Sequence, residues 1–153
     1  MNIFDALRES HDTQRTLVGR LLAADEGRGD RHRAFLNLKR ELAAHETAEE
    51  RHFYVPLWEH DETVDPSRHA IAEHHEMDEM VEEMESLDEG SPKWSELAHK
   101  LVHQVEHHLK EEEEKFFQAA GRVLSAEQKL DLAVHYREEF ARLMEKEKES
   151  QDA

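Results

Sequence analysis

His45-Glu46-Thr47-Ala48-Glu49-Glu50-Arg51-His52-Phe53-Tyr54 returns 63 residues later as His108-Leu109-Lys110-Glu111-Glu112-Glu113-Glu114-Lys115-Phe116-Phe117. The same offset carries His11 to His74, and Leu17, Val18 and Leu21 to Met80, Val81 and Met84. It carries Leu38 and Leu42 to Leu101 and Val105, and Asp25-Glu26-Gly27 to Asp88-Glu89-Gly90. A duplicated helical hairpin produces such a pattern, with one His on its first helix and His-x3-Glu on its second. Two hairpins facing each other gather four His and two Glu, a donor set suited to two transition-metal ions.

The five glycines and three prolines punctuate the chain rather than interrupt its periodicity. Gly27 and Gly90 fit the position just past a helix end. Asp30, Asp65 and Ser91 fit N-caps, the last two followed by Pro66 and Pro92 at the favoured first helical position. Ser125 and Gln128 make a capping box. The spacing predicts helices over about 3–25, 31–57, 66–88, 92–120 and 126–148. Their apolar seams read Phe4, Leu7, His11, Gln14, Val18, Leu21, then Phe35, Leu38, Leu42, His45, Glu49. The third reads Ala70, His74, Met77, Val81, Met84, and the fourth Leu101, Val105, His108, Glu112, Phe116. Every repeated His and both Glu49 and Glu112 therefore fall on core positions of an all-α, up-down-up-down four-helix bundle with an additional C-terminal helix. A buried carboxylate is costly unless paired or metal-bound. His11 precedes the predicted end of its helix by about 14 residues, and His45 follows the start of its own by about 14. In an antiparallel hairpin both then stand roughly 21 Å from the loop, at 1.5 Å per residue. His74 and His108 obey the same relation to within about two residues, so the six side chains share one level.

Composition narrows the functional classes. The 153 residues suit a single domain with a real core, with the bundle over about 3–120 and the fifth helix beyond it. No run approaches the roughly 20 apolar residues of a membrane helix, and Met1-Asn2-Ile3-Phe4 leads into amphipathic sequence without a signal pattern. A cytoplasmic location is expected. The chain has no cysteine, so metal ligands must be N and O donors. A net charge of −17 repels phosphate and argues against nucleic acid.

Four segments together resemble the haemerythrin-like, HHE cation-binding family. They are SHDTQRTLVGRLL with His11, HETAEERHFYVP from His45, EHHEMDEMVEEM around His74 and HLKEEEEKFF from His108, spanning roughly residues 5–120. The resemblance implies a non-haem di-iron centre. His11 and His45 would ligate one iron, and His74 and His108 the other. Glu49 and Glu112 would bridge the pair with an oxo, hydroxo or water ligand. Manganese or zinc are substitutes for iron in such a donor set. The oxygen-carrying members have a further His four residues after His74, where this chain has Asp78, and an Asp where this chain has Glu112. With fewer His ligands, reversible oxygen carriage is not the expected role. The resemblance instead implies binding, sensing or processing of a small oxidant: oxygen, nitric oxide or peroxide.

Other readings are a metal-stapled structural or interaction module and a di-iron enzyme that decomposes peroxide; no separate catalytic motif is present. The protein is expected to be a monomer or homodimer. A ferritin-like arrangement would use Glu49–His52 and Glu96–His99, but the repeat partner of His52 is Lys115, and His99 lies about 24 Å of helix away from that level. Glu50 and Glu113 read as solvent-facing or, alternatively, as supports to the ligands or ligands themselves. Either His107 or His108 can turn inward, with the Phe53–Phe116 match favouring His108. His99, His103 and His107 read as a solvated stripe, Met77, Met80 and Met84 as core fillers, and Tyr54 and Trp58 as packing residues. Leu17, Leu42, Val81 and Val105 are expected to give a small neutral ligand an apolar surround, with Asp78 available to fill a coordination vacancy. His135 would matter only if the last helix caps the bundle.

Overall fold

The computed structural model describes residues 1–24 and 29–152, and among these there is no strand. Helix α1 runs Ile3–Ala23 and is closed at its start by a capping box, Asn2 and Asp5 each accepting the other's backbone N–H at 3.0 Å. Helix α2 spans Asp30–Glu49 and continues without a break through a π-helical turn, Glu50–Tyr54, and a 3-10 turn, Val55–Glu59. Helix α3 is Asp61–Glu85. Helix α4, Pro92–Glu111, runs on through a second π-helical turn, Glu112–Phe116, into α5, Phe117–Val123. Helix α6, Ala126–Asp152, ends the chain's described part.

Several helix limits differ from expectation, for local reasons. Gly29, in the left-handed conformation at φ 73°, is the N-cap of α2, and Asp30 is already its first residue. Such a φ suits glycine, which has no Cβ to clash. The start of α3 lies earlier than Pro66. His60 turns the chain, and the Thr63 hydroxyl donates to the Leu57 carbonyl at 2.7 Å, tying the new helix to the preceding turn. Pro66 is therefore inside α3, at its sixth residue, where it has no N–H to give the Glu62 carbonyl one turn back. Gly90 stands several residues past the end of α3, in a turn where its N–H donates to Asp88. Gly27, with Asp25-Glu26-Gly27, lies outside the described residues. Ser91 caps α4 as expected, accepting from Trp94 N–H, and the Ser125–Gln128 box closes the start of α6 reciprocally.

Helix α1 packs on α2 and α4, α3 packs on α4, and α6 lies along α1 and α2. The long helices bury two separate apolar clusters. One holds Leu17, Val18, Leu38, Leu42, Met77, Met84, Leu101 and Val105, with Met80 at its edge. The other holds Phe4, Leu7, Phe53, Tyr54, Leu57, Ala70, Phe116 and Tyr136. The predicted seams are thus interior, including the methionine fillers, whereas Trp58 is exposed rather than packed. Burial of each large apolar side chain contributes roughly 1.5–3 kcal/mol, enough collectively to hold a polar layer between the two clusters.

Candidate metal centre

That layer consists of His11, His45, Glu49, His74, His108 and Glu112, each at most 3% exposed. Helix α1 supplies His11, α2 supplies His45 and Glu49, α3 supplies His74, and α4 with its π turn supplies His108 and Glu112. All four imidazoles turn Nε2 toward the two carboxylates. His45 Nε2 and His74 Nε2 lie 3.1 and 3.3 Å from Glu49 Oε1. His11 Nε2 lies 3.2 Å from Glu112 Oε1, and His108 Nε2 lies 3.5 Å from Glu112 Oε2. The arrangement is reciprocal: the His of each hairpin's first helix faces the carboxylate of the other hairpin. Two groups have donors close enough for one ion, His11–His45–Glu49 and Glu49–His74–His108, and Glu49 is common to both.

The outward nitrogens are held just as systematically. His11 Nδ1 contacts Glu113 at 2.7 Å, His74 Nδ1 contacts Glu50 at 3.1 Å, and His108 Nδ1 contacts Glu73 at 2.9 Å. A carboxylate can only accept, so Nδ1–H donates in each, and once the ring is neutral its Nε2 lone pair faces inward. His45 Nδ1 meets the Tyr136 hydroxyl at 2.7 Å, which also pairs with Ser10 at 2.6 Å. Glu50 and Glu113, with side chains 35% and 19% exposed, therefore do more than face solvent: each orients the first-helix His of the opposite hairpin. Glu113 is also bound by Arg15 at 2.8 Å.

The two halves differ at one central atom. Tyr54 is fully buried, and its hydroxyl oxygen stands 2.7 Å from Glu49, against Glu112 and 3.4 Å from His74 Nε2. Its single O–H donates to one of the two carboxylates at a time. Its repeat partner Phe117 instead stacks on His11 at 5.8 Å. Tyr54 is thus a polar member of the site, not merely a packing residue. Burial, followed by the charges of Glu112 and Glu49, pushes its pKa well up, so it remains a hydroxyl donor.

The buried carboxylates draw positive charge into the layer. Burial opposes charge on His11, yet Glu112 and Glu113 outweigh it and raise its pKa to about 9. Burial likewise opposes charge on His74, but Glu49 and Glu50 hold its pKa well up. Burial and the neighbouring Glu49 push Glu112 up to about 8, while burial pulls His45 down to about 4. Protons occupy the layer where positive charge is needed. Nor do the inner atoms satisfy one another: His11 Nε2, His45 Nε2, Glu49 Oε2 and Glu112 Oε1 are buried without a hydrogen-bond partner. Buried polar groups ordinarily find one. Clustered orphaned imidazole and carboxylate atoms fit metal cations.

The remaining sequence candidates fall away from this layer. His108 points in, while the His107 side chain is 56% exposed. His99 and His103 are exposed, so no ferritin-like pair forms. Asp78 is exposed and interacts with Glu46 instead of reaching the layer. His52 and His135 face each other where the first π turn meets α6. Leu17, Leu42, Val81 and Val105 belong to one of the core clusters, and Leu42 and Val81 also line a separate cavity with Glu46 and Asp78 that none of the six layer residues lines. The site is approached from its other side, by a cavity of about 430 Å³ that reaches His108 and Glu112 between Ala70 and Phe116.

Fold and site define an all-helical protein with a buried nitrogen–oxygen cation site. The chain belongs to the family of the hemerythrin HHE cation binding domain, whose family model matches residues 2–120. No curated protein and no solved structure matches the chain.

Proposed function

We propose that the chain is a single domain, an up-down-up-down four-helix bundle with an added C-terminal helix. In it His11, His45, Glu49, His74, His108 and Glu112 ligate two iron ions, and the pair binds, senses or processes a small oxidant. The observation that carries this reading is the convergence of four Nε2 atoms on two buried carboxylates whose inner atoms lack partners. His11 and His45 serve one ion and His74 and His108 the other, with Glu49 and Glu112 between them. Manganese or zinc would suit the same donors.

Iron would supply redox electrons and open coordination positions for oxygen, nitric oxide or peroxide. The chain's own residues do the rest. Glu50, Glu73, Glu113 and Tyr136 fix the four rings with Nε2 inward. The two apolar clusters exclude bulk water. Tyr54 holds a hydroxyl proton at the centre, next to His74, where it can donate to an oxygen-containing ligand. The cavity beside His108 and Glu112 gives a small ligand a path from solvent. No helix among the described residues is long and apolar enough to cross a membrane. A cytoplasmic location and a monomeric or homodimeric state are part of the proposal.

The test is to load the protein with iron anaerobically and record optical spectra while adding oxygen, nitric oxide or peroxide. Changes in the iron bands with at least one of them are expected. Bands indifferent to all three would replace this reading with a metal that merely staples the fold, and catalytic loss of peroxide in the same assay would mark an enzyme.

A further inference from the structure

A second cluster of donors stands at the mouth of the cavity. On α3, His69 and Glu73 are four residues apart and share a face; on α4, His107 and Glu111 do the same. The two pairs meet across the α3–α4 contact. His69 Nε2 lies 3.6 Å from Glu73 Oε1 and 3.5 Å from Glu111 Oε1. Donors around a tetrahedral ion with bonds of about 2.1 Å stand roughly 3.4 Å apart, so His69 is already at ligating separation from both carboxylates, and the three donors all lie within 4.8 Å of one another. His107 Nε2 lies 3.0 Å from the other Glu111 oxygen, leaving a fourth donor beside the group.

Three properties separate this cluster from an ordinary charged surface. It combines imidazole with carboxylate, which favours transition-metal ions over calcium or magnesium. It lines the same cavity as His108 and Glu112, so an ion held there sits on the path to the buried layer. And Glu73 belongs to both: the Oε1 facing His69 also accepts from His108 Nδ1 at 2.9 Å. A carboxylate has room for both partners.

We propose that His69, Glu73 and Glu111 form an outer binding site for a divalent transition-metal ion, which captures the ion at the cavity mouth and passes it to the buried centre. The delivery role rests on the dinuclear reading above; the outer site itself does not. A net charge of −17 concentrates cations around the whole molecule, and the cluster selects among them at this opening. His69 is 59% exposed and Glu111 31% exposed at the side chain, so an aqueous ion can reach them and their replacement does not threaten the core.

The test titrates metal-free full-length protein with Co2+, following visible absorption and bound metal, in the wild type and in the His69→Ala/Glu111→Gln variant. The wild type should bind three equivalents, one of them weakly. The variant should bind two and fill them at least tenfold more slowly. Equal stoichiometry in the two proteins would remove the outer site, and an equal filling rate would remove its delivery role; in either case two retained equivalents leave the dinuclear reading standing. Loss of a single equivalent in the variant, with no Co2+ in the buried layer of either protein, would establish the outer site and overturn the dinuclear reading.

Discussion

Replacing Glu113 by Gln should weaken metal binding without touching any proposed ligand. Its Oε2 accepts from His11 Nδ1 at 2.7 Å and its Oε1 accepts from Arg15 at 2.8 Å. Hydrogen bonds from His11, and then from Arg15, overcome partial burial and pull its pKa down to about 2. A depressed carboxylate pKa means that its contribution is complete above the ordinary value near 4.5 and fades as pH falls toward 2. Throughout pH 6–8 the carboxylate is therefore charged and its influence on His11 is complete. Gln can offer His11 one carbonyl oxygen, but then turns its NH2 toward Arg15, so one of the two bonds is lost in either orientation. Loss of a carboxylate behind a ligating His typically costs 10–100-fold in metal affinity, about 1.4–2.7 kcal/mol. Competition with a chromophoric chelator at pH 7 measures this directly, with the exposed neighbour substitution Glu114→Gln as control. An affinity for Glu113→Gln within about twofold of wild type would refute the reasoning that the outward hydrogen bond tunes the ring.

Three further outcomes are expected. Glu41 is buried in α2, and desolvation raises its pKa to about 7 against the Arg40 charge. A raised carboxylate pKa destabilises the fold as pH climbs from about 4.5 through 7. Glu41→Gln should therefore gain stability over wild type by up to about 3 kcal/mol at pH 8 and little at pH 4.5, read by urea denaturation at both. Tyr136→Phe leaves His45 Nδ1 and Ser10 without their shared partner and should weaken metal binding while the protein stays helical by circular dichroism. Loading with iron at a hundred times the dissociation constant should raise unfolding free energy by about 2.7 kcal/mol for each ion bound, about 5.4 kcal/mol for two independent sites, seen as a higher melting temperature than that of the chelated protein. Identical melts at confirmed occupancy would remove the buried residues from the ligand set.

What the sequence reveals and what it hides have the same cause. The 63-residue repeat exposes the six central residues because duplication copies them together and 3.6-residue periodicity places each on a seam. That periodicity fails at the π turns. In each, a backbone N–H reaches back five residues, from Val55 to Glu50 and from Phe117 to Glu112. Such a turn stacks positions five apart, which brings Tyr54 against Glu49, a pairing that an α-helical wheel sets on different faces. Glu50 and Glu113 adjoin seam residues and look outward by the same wheel, yet their long side chains reach the opposite hairpin's imidazole. Tyr136 and Glu73 carry no repeat signal. Tyr136 sits on α6, which has no duplicate, and Glu73 corresponds to Ser10, whose hydroxyl meets Tyr136 instead. Helix limits at Gly29 and His60 depend on backbone geometry that Asp30 and Pro66 only approximate.

The central claim is that the buried layer holds two ions. The most direct measurement is iron per chain, by elemental analysis of folded protein loaded with Fe2+ under argon and freed of surface metal with a weak chelator. Two irons per chain are expected from the two donor groups that share Glu49, falling to at most one in Glu112→Ala and remaining two in His103→Ala. A reproducible value near zero in folded wild-type protein, or two irons retained in Glu112→Ala and lost in His103→Ala, would contradict it.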